Sequence, residues 1–335
     1  MVVRELRYNP LLGQWVMVSS VRVTRPWRPL STCPFCPSSD EVVFKGNVAV
    51  IPNKYPVLTF NVTPASPSSD FFKKSPALGA CYVVVETPEH GISDLCELSH
   101  EEMRAIVETW VRLTKELAAT SKVNYVAVFR NKGEEVGVSL SHPHNQVYAL
   151  PHVPLKVRIK LENARAYYMR SRECLFCRVL HEELSGGSRV IYRNNSYAAF
   201  LPFYANWPYE IHVYPLRHVG LLTELSSSEV DLLADVLRAV TGVLNTLFNK
   251  SMPYVMFIYQ APIKGSYEYF HLHVEFYPVL EAENKLKYAA GIELGTWDFT
   301  YDGVPEERAS ELRRACKEAV NKGIIKGSVL GSCIT

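Results

Sequence analysis

The feature that most constrains this chain is an internal repeat, because four motifs follow one another in the same order in both halves. They are a Cys-x-x-Cys pair, a histidine that follows a proline, a Glu-Leu-Ser-x-x-Glu motif and a His-x-His motif. In the first half these lie at residues 33–36, 88–90, 97–102 and 142–144; in the second they lie at 174–177, 215–218, 224–229 and 271–273. Chance agreement of this kind is improbable, so we expect two similar folding units.

Each unit is predicted to combine a sheet with a packed helix. Segments 80–86, 125–130, 146–150, 210–214 and 273–277 are apolar and rich in β-forming residues. Ser99 and Ser226 each begin a capping-box motif that precedes apolar residues at helical spacing. A helix over about residues 155–169 is expected to link the units. The pattern predicts an α+β fold with one unit over 1–154 and another over 155–335.

Charge and hydropathy exclude several classes of function. The 335 residues include 36 Lys and Arg against 34 Asp and Glu, a net charge of +2, so no basic surface for nucleic acid is expected. Hydrophobic residues make up 47% of the chain, yet no apolar run reaches the ~18 residues of a membrane span. The N-terminus lacks a signal-peptide pattern. We expect a soluble cytoplasmic protein that binds neither nucleic acid nor membrane.

Each half carries four side chains suited to a closed zinc site, which needs four soft or borderline ligands. The predicted ligands are Cys33, Cys36, His90 and His142 in the first half, and Cys174, Cys177, His218 and His271 in the second. Two alternatives stay open. The cysteine pairs could be redox-active, although Pro34 and Pro37 fit poorly in a thioredoxin-like helix, and the histidines could be core residues with hydrogen-bond partners.

The other four cysteines, Cys81, Cys96, Cys316 and Cys333, stand alone in the sequence. Such cysteines are either inert apolar residues or members of disulfides. The sequence does not choose between these alternatives.

His144 is the candidate nucleophile. Residues two apart on a strand face the same side, so His142, His144 and Gln146 share a face, and His142 is assigned to the metal. A neutral imidazole nitrogen can attack phosphorus without first losing a proton. Gln146 can donate its amide N–H to a phosphate oxygen without adding charge, and the preceding loop brings Asn131 and the Ser139 hydroxyl nearby. A histidine in a core strand is the alternative for His144 taken alone.

The second half lacks part of this chemistry. His273 stands where His144 does, but no Asn-Lys-Gly loop precedes it, and Glu275 would repel a phosphate. We therefore expect the second half to be structural.

Taken together, these motifs resemble the galactose-1-phosphate uridylyltransferase family, a branch of the histidine-triad superfamily. The most specific matching segments are residues 22–27, 33–36, 131–146, 207–210 and 287–293, and the resemblance covers nearly the whole chain. It implies two tandem histidine-triad-like halves, each an antiparallel sheet with packed helices. It also implies that UDP-glucose uridylylates His144, after which galactose 1-phosphate takes the uridylyl group and leaves as UDP-galactose.

The resemblance assigns substrate-binding roles to Arg22, Arg25, Asn53, Asn131, Ser139, Lys287 and Glu293. The two arginines would reach the nucleotide from a partner subunit, and Asn53 would lie in the uridine pocket. Lys287 and Glu293 would approach the hexose across a homodimer interface. Taken one at a time, the charged residues of this set would instead be interpreted as solvated surface.

The sequence departs from the family's best-known bacterial pattern at several positions. Tyr259 and Glu275 replace two histidines of the second metal site, which favours zinc over iron there. Asn145 stands where glycine is common, and Ala290 and Ile292 replace larger or more polar residues in the hexose segment. The resemblance therefore specifies the reaction better than the sugar.

Two other functions stay open. A nucleotide-sugar phosphorylase or hydrolase of the same superfamily, including an adenylyl-specific one, would use His144 but pass the nucleotide to phosphate or water. A zinc-stabilised nucleotide-binding protein without turnover would keep its affinity in His144→Gly and form no covalent adduct. The arginine element at residues 22–25 and the segment 287–293 favour a sugar-phosphate acceptor.

Overall fold

The computed structural model describes residues 3–24, 33–62 and 69–334, so the predicted Arg25 lies outside the described residues. Its strands are β1 (Arg4–Asn9), β2 (Gln14–Ser19), β3 (Ala49–Pro52), β4 (Lys74–Pro76), β5 (Ala80–Val85), β6 (Tyr125–Lys132), β7 (His144–Leu150), β8 (Val190–Arg193), β9 (Tyr197–Phe200), β10 (Ile211–Pro215), β11 (Tyr254–Tyr259), β12 (His273–Pro278), β13 (Leu280–Ala282), β14 (Lys285–Leu286) and β15 (Ser332–Cys333). The α-helices are α1 (His100–Ala118), α2 (Leu155–Ser171), α3 (Leu175–Gly186), α4 (Ser227–Leu247), α5 (Gly291–Thr296) and α6 (Pro305–Asn321).

Ten strands form one antiparallel sheet that runs through both halves, in the order β15-β8-β9-β10-β12-β11-β6-β7-β5-β3. The halves meet where β6 pairs with β11, with Phe129 opposite Phe257 and the two rings stacked at 6.3 Å between centroids. On either side of this pair, β7 of the first half occupies the position of β12 in the second, and β5 occupies the position of β10. The predicted α+β fold is confirmed, but the two expected sheets are one continuous sheet.

Helices α1 and α4 pack side by side on one face of the sheet. Ser99 and Ser226 accept hydrogen bonds from the backbone N–H groups of Glu102 and Glu229, and each glutamate accepts the N–H of its serine. Both predicted capping boxes are therefore confirmed. The buried faces of the two helices join a common core with the central strands, since apolar side chains at helical spacing lie on one side.

Helix α2, at the predicted linking position, lies over the opposite sheet face, where its Lys160 reaches His273 of the second half. Its Val157, Leu161 and Ala164 pack in a core with Phe200 and Tyr214 of the sheet. In the first half, the corresponding face begins at His144 and borders open clefts. This difference in covering makes the two similar halves unequal.

A buried ionic cluster lies beneath the central strands, on the side of α1 and α4. The Arg130 guanidinium donates to Glu86 at 2.9 Å and to Asp94 at 3.2 Å, and the Lys132 ammonium donates to Asp94 at 2.5 Å. The Tyr254 hydroxyl of β11 also donates to Asp94, at 2.6 Å. Residues of both halves thus share one set of charges that are removed from water.

Cys316 of α6 and Cys333 of β15 form a disulfide across 17 residues of sequence. Cys81 and Cys96 are free and buried, so they are apolar core residues. The disulfide ties β15 to α6 at the outer edge of the sheet, beside β8. No helix among the described residues is long and apolar enough to cross a membrane.

We predict that the double variant Cys316→Ser/Cys333→Ser is less stable than the wild type by about 3 kcal/mol, because a cross-link over a loop of this length restricts the unfolded chain. Denaturant unfolding with and without reductant measures the difference. The reduced wild type is expected to unfold like the variant. Equal stability of the oxidised wild type and the variant would contradict the prediction.

A second prediction concerns pH. Hydrogen bonds from Arg217 at 2.7 and 2.9 Å lower the pKa of Glu229 to about 2, from an ordinary value of 4.5. Because the folded-state pKa is the lower one, the contribution of Glu229 to stability is present above pH 4.5 and is lost as the pH falls towards 2. Glu229→Gln should therefore unfold at a lower temperature than the wild type at pH 7, and the gap should narrow below pH 4.5.

The matched control is Glu102→Gln in the other capping box, where the cation paired with the carboxylate is Lys326, at the longer distance of 3.5 Å. Its gap to the wild type should be smaller and less dependent on pH. A gap for Glu229→Gln that stays constant from pH 7 to pH 3 would argue against a charged partner at this cap.

Candidate active site

His144 is presented as a neutral base at the first residue of β7. Its Nδ1–H donates to the backbone carbonyl of His142 at 2.9 Å, which places the proton on Nδ1 and leaves the lone pair on Nε2. Burial lowers the pKa of His144 below its ordinary value, so the ring is neutral near pH 7. Phe35 packs against it with 5.1 Å between ring centroids and restricts its rotation. The Nε2 atom can therefore act as a nucleophile.

Two clefts meet at His144. One has a volume of about 740 Å³ and is lined by Ile51, Asn53, Tyr55 and Gln146, among others. The other, of about 650 Å³, is lined by residues that include Arg130, Asn131, Gly133 and Ser251. His144, Ser139 and Leu140 line both clefts. A ligand with its reacting phosphorus at His144 could therefore extend in two directions.

Gln146 lies two residues beyond His144 on the same face of β7. Its Oε1 accepts from the Tyr148 hydroxyl at 3.1 Å and faces the Asn53 Nδ2 at 3.5 Å. The Arg22 guanidinium lies against the Tyr148 hydroxyl, so Arg22 reaches this face within its own chain. Tyr148 was missed by the sequence reasoning, although the alternation that groups His144 with Gln146 also includes it.

Lys287 and Glu293 hold their own segment together. The Lys287 ammonium donates to the Thr300 hydroxyl at 3.2 Å and lies 3.8 Å from the Glu293 carboxylate. Glu293 also accepts from the Ala290 N–H at 3.1 Å and from the Thr300 hydroxyl at 2.8 Å. The two charged side chains are only 8% and 4% exposed, so their interpretation as solvated surface charge is wrong. Neither lines the two clefts at His144.

The four predicted metal ligands of the first half come together beside His144. The donor atoms of Cys33, Cys36, His90 and His142 all lie within 4.8 Å of one another. The separations from Cys36 Sγ to His90 Nδ1 and to His142 Nδ1 are 3.3 and 3.6 Å, close to the roughly 3.5 Å edge of a tetrahedral zinc site. The His142 Nε2 lies 2.8 Å from the Thr87 carbonyl, an outer contact that is typical of metal-bound histidine. The donors fit a zinc ion.

The second half repeats this arrangement with Cys174, Cys177, His218 and His271, whose donor atoms meet the same limit of 4.8 Å. The Cys177 Sγ lies 3.2 Å from the His218 Nδ1 and 3.4 Å from the His271 Nδ1. This set also fits a zinc ion, because two thiols and two imidazoles are the donors of a closed structural site.

The position equivalent to the nucleophile is occupied in the second half. The Lys160 ammonium of α2 lies 2.7 Å from the His273 Nε2 and forms an ion pair with Glu275. A third cluster that could hold a metal, Glu210, His212 and Glu275, is buried here. Burial alone would raise the pKa of Glu275, but Lys160 and Lys156 hold it well below its usual range. Lys156 and Lys160 both pair with Glu275, and His212 pairs with Glu210, so both carboxylates have partners without a metal ion.

The fold and the candidate site together define a class of protein: two similar α+β units joined in one sheet, each with a Cys₂His₂ cluster, and with a candidate histidine nucleophile at open clefts in the first. A family model described as "Galactose-1-phosphate uridyl transferase, N-terminal domain" matches residues 1–154, and the model of the C-terminal domain matches residues 160–322. The chain belongs to the galactose-1-phosphate uridylyltransferase family.

Individual relatives agree with this assignment. A galactose-1-phosphate uridylyltransferase from Thermotoga maritima is 40% identical over 92% of this chain and 98% of that protein, and one from Haemophilus influenzae is 31% identical over 92% and 93%. A solved uridylyltransferase structure superposes with a TM-score of 0.88 at 39% identity, over 94% of this chain and 99% of that one. An ADP-glucose phosphorylase from Arabidopsis thaliana, with bound ADP-glucose, has a TM-score of 0.72 at 26% identity, over 92% and 98%.

Proposed function

We propose that this protein is a hexose-1-phosphate uridylyltransferase that exchanges UMP between UDP-glucose and galactose 1-phosphate through a covalent uridylyl-histidine. The observation that carries the proposal is the neutral His144 ring, with its Nε2 lone pair at the junction of two clefts. One cleft has room for a nucleoside and the other for a sugar phosphate. A phosphorus held between them would lie next to the nucleophile.

The reaction would proceed in two balanced steps. First, Nε2 of His144 attacks the α-phosphorus of UDP-glucose, and the bond to the bridging oxygen breaks, so glucose 1-phosphate leaves with that electron pair. A phosphate oxygen of galactose 1-phosphate then attacks the same phosphorus, and the N–P bond breaks to return the electron pair to Nε2. The imidazole needs no proton transfer in either step, because it attacks and leaves through the same lone pair.

The neighbouring polar groups have proposed roles in binding. Gln146 would donate its amide N–H to a phosphate oxygen, and the hydroxyl of Ser139 and the amide of Asn131 would act along the cleft walls that they line. Such donors stabilise charge that develops on the phosphate in the transition state. Arg22 and Arg25 would add positive charge, and Asn53 lines the proposed nucleoside cleft.

We propose that each Cys₂His₂ cluster holds a structural zinc ion. Zinc would fix the Cys33–Cys36 segment, and with it Phe35, against the nucleophile. It would also fix His142, whose carbonyl accepts the Nδ1–H of His144. The metal would thus support the site without entering the reaction, since all four positions of a closed site are taken by protein.

Assembly and location complete the proposal. Exposed apolar side chains cluster in and around the segment 288–297: Tyr288, Ile292, Leu294 and Trp297. Exposed apolar patches of this kind mark protein interfaces, so they support a homodimer in which this segment, with Lys287 and Glu293, serves the partner's hexose site. The proposed enzyme is cytoplasmic. The proposed boundary between its two domains falls at residues 154/155, near the gap between the two family models.

A nucleotide-sugar phosphorylase is the second candidate function. The ADP-glucose phosphorylase from Arabidopsis thaliana resembles this chain along most of its length. With that function, this protein would still use His144 but would pass the nucleotide to inorganic phosphate. The choice of base and of acceptor therefore has to be measured.

We expect the intact mass of the protein to rise by one uridylyl group on mixing with UDP-glucose alone, and to fall back on addition of galactose 1-phosphate. His144→Gly should show no gain. The matched control is His273→Gln in the second half, which keeps a polar group beside Lys160 and should still form the adduct. An adduct from ADP-glucose that is removed by inorganic phosphate would favour the phosphorylase. Absence of any adduct would favour a binding protein without turnover.

Elemental analysis should find two zinc ions per chain, and one in either Cys36→Ser or Cys177→Ser. Removal of zinc by a strong chelator should lower the midpoint of thermal unfolding, because the binding energy of structural zinc is part of the folding energy. Cys36→Ser should also slow adduct formation more than Cys177→Ser, since only the first cluster borders His144. Unchanged unfolding after verified zinc loss would contradict a structural role.

A further inference from the structure

The orientation of the Gln146 amide decides whether this residue helps or hinders the proposed chemistry. An amide has two donor hydrogens at one end and an acceptor oxygen at the other. The donor end attracts a phosphate oxygen, whereas the carbonyl end would repel it. Since the two ends have almost the same shape, sterics alone do not select between them, and neighbouring hydrogen bonds must do so.

One chain of hydrogen bonds starts from a backbone group of fixed polarity. The Tyr55 N–H can only donate, and it donates to the Oδ1 of Asn53 at 2.9 Å. The Nδ2 of Asn53 must therefore point the other way, where it lies 3.5 Å from the Oε1 of Gln146. Because the Tyr55 N–H fixes the orientation of the Asn53 amide, the NH₂ group of Asn53 faces Gln146. The end of the Gln146 amide that faces Asn53 is therefore its oxygen.

A second chain starts from a side chain that also can only donate. The Arg22 guanidinium has no acceptor, and its positive charge lies beside the Tyr148 hydroxyl. A cation attracts the hydroxyl oxygen and repels its hydrogen, so that hydrogen is free to donate to the Gln146 Oε1, which lies 3.1 Å from the hydroxyl oxygen. The nearby Cys81 thiol, whose pKa is raised by burial, stays neutral and is a weak competitor for that hydrogen.

We propose that Asn53 and Tyr148 are positioning residues that hold the Gln146 amide with its oxygen turned inward and its NH₂ group turned to the reacting phosphate. The two chains begin at independent donors and converge on the same oxygen atom, so both select the same orientation. The inference rests on the proposed function, in which His144 attacks a phosphorus beside Gln146. It adds a role for Tyr148, and a second role for Asn53 besides lining the nucleoside cleft.

The equivalent tyrosine of the second half offers a comparison that supports the proposal. Tyr277 stands two residues after Glu275, as Tyr148 stands two residues after Gln146, and its hydroxyl contacts the Glu275 carboxylate. A carboxylate has two equivalent acceptor oxygens and no donor end to orient. The same tyrosine geometry therefore has an orienting effect only in the half that carries the nucleophile.

A double-mutant cycle tests the proposal by measuring the single-turnover rate of uridylylation of His144 by UDP-glucose. Asn53→Leu and Tyr148→Phe each remove one donor without adding charge, and each is expected to slow this rate about 10-fold, less than the ~100- to 1,000-fold loss typical when a transition-state donor is removed outright. In a Gln146→Leu background, neither change should slow the rate further, because residues that act through a third residue lose their effect when it is removed. Tyr277→Phe is the control and should react at the wild-type rate.

A separate binding measurement distinguishes positioning from direct contact with the base. In Tyr148→Phe, whose side chain does not line the nucleoside cleft, the affinity for uridine, which has no phosphate, should be unchanged, while the affinity for UMP should fall. Equal rates in wild type and both variants, effects that persist in Gln146→Leu, or a loss of uridine affinity in Tyr148→Phe would each overturn the proposal. If the wild type forms no adduct, the proposed function fails instead. Should Asn53→Leu not fold, Tyr148→Phe carries the same test alone.

Discussion

The pairing of β6 with β11 is the constraint on which the rest of this structure depends. It joins a four-stranded unit of the first half to a six-stranded unit of the second in one sheet, and it stacks Phe129 on Phe257 at the junction. It also brings Tyr254 of the second half to the buried charges of Arg130 and Asp94 in the first. Loss of a hydrogen-bond partner from a buried polar group typically costs about 1–3 kcal/mol, and more for a charged one, so these hydrogen bonds across the junction disfavour any other docking of the halves.

The two halves differ in the side chains that lie behind their His-x-His strands, on the side of α1 and α4. Behind the nucleophile strand, Asn145 accepts from the Trp110 indole N–H at 2.8 Å and donates to Glu86 at 3.2 Å, and Arg130 donates to Glu86 as well. The corresponding positions in the second half, Leu237, Ile258 and Val274, belong to the apolar core. Buried polar groups are costly unless their hydrogen bonds are all satisfied. A satisfied polar layer therefore lies behind only one of the two His-x-His strands.

Much of the fold could be predicted from the sequence because its signals are local. The capping boxes at Ser99 and Ser226 specify where helices begin, and alternation over residues 146–150 specifies a strand and its faces. The single continuous sheet could not be predicted, since no local pattern states that β6 and β11 pair with each other. Lys160 was missed for a related reason: it lies on a helix of low sequence amphipathicity and meets His273 only through the fold.

In the candidate site, too, some residues could be identified from local sequence patterns and others only from the fold. His144, Gln146 and the two Cys₂His₂ clusters could be found because motifs and period-2 spacing place them together. Tyr148 follows from the same spacing, but its effect does not, because that effect depends on Arg22 and on the direction of a hydrogen bond. Lys287 and Glu293 were named by resemblance, and their mutual contact with Thr300 emerged only in three dimensions.

The position of the first Cys₂His₂ cluster couples the stability of the first half to the reactivity of His144. His142 contributes its ring to the cluster and its carbonyl to the Nδ1–H of His144, so one residue links the proposed metal to the tautomer of the nucleophile. In the second half, His271 and His273 repeat this link, but Lys160 occupies the nitrogen that would react. The shared backbone geometry therefore stabilises both halves. It supports a candidate catalytic histidine only in the first half, where the face above His144 is open.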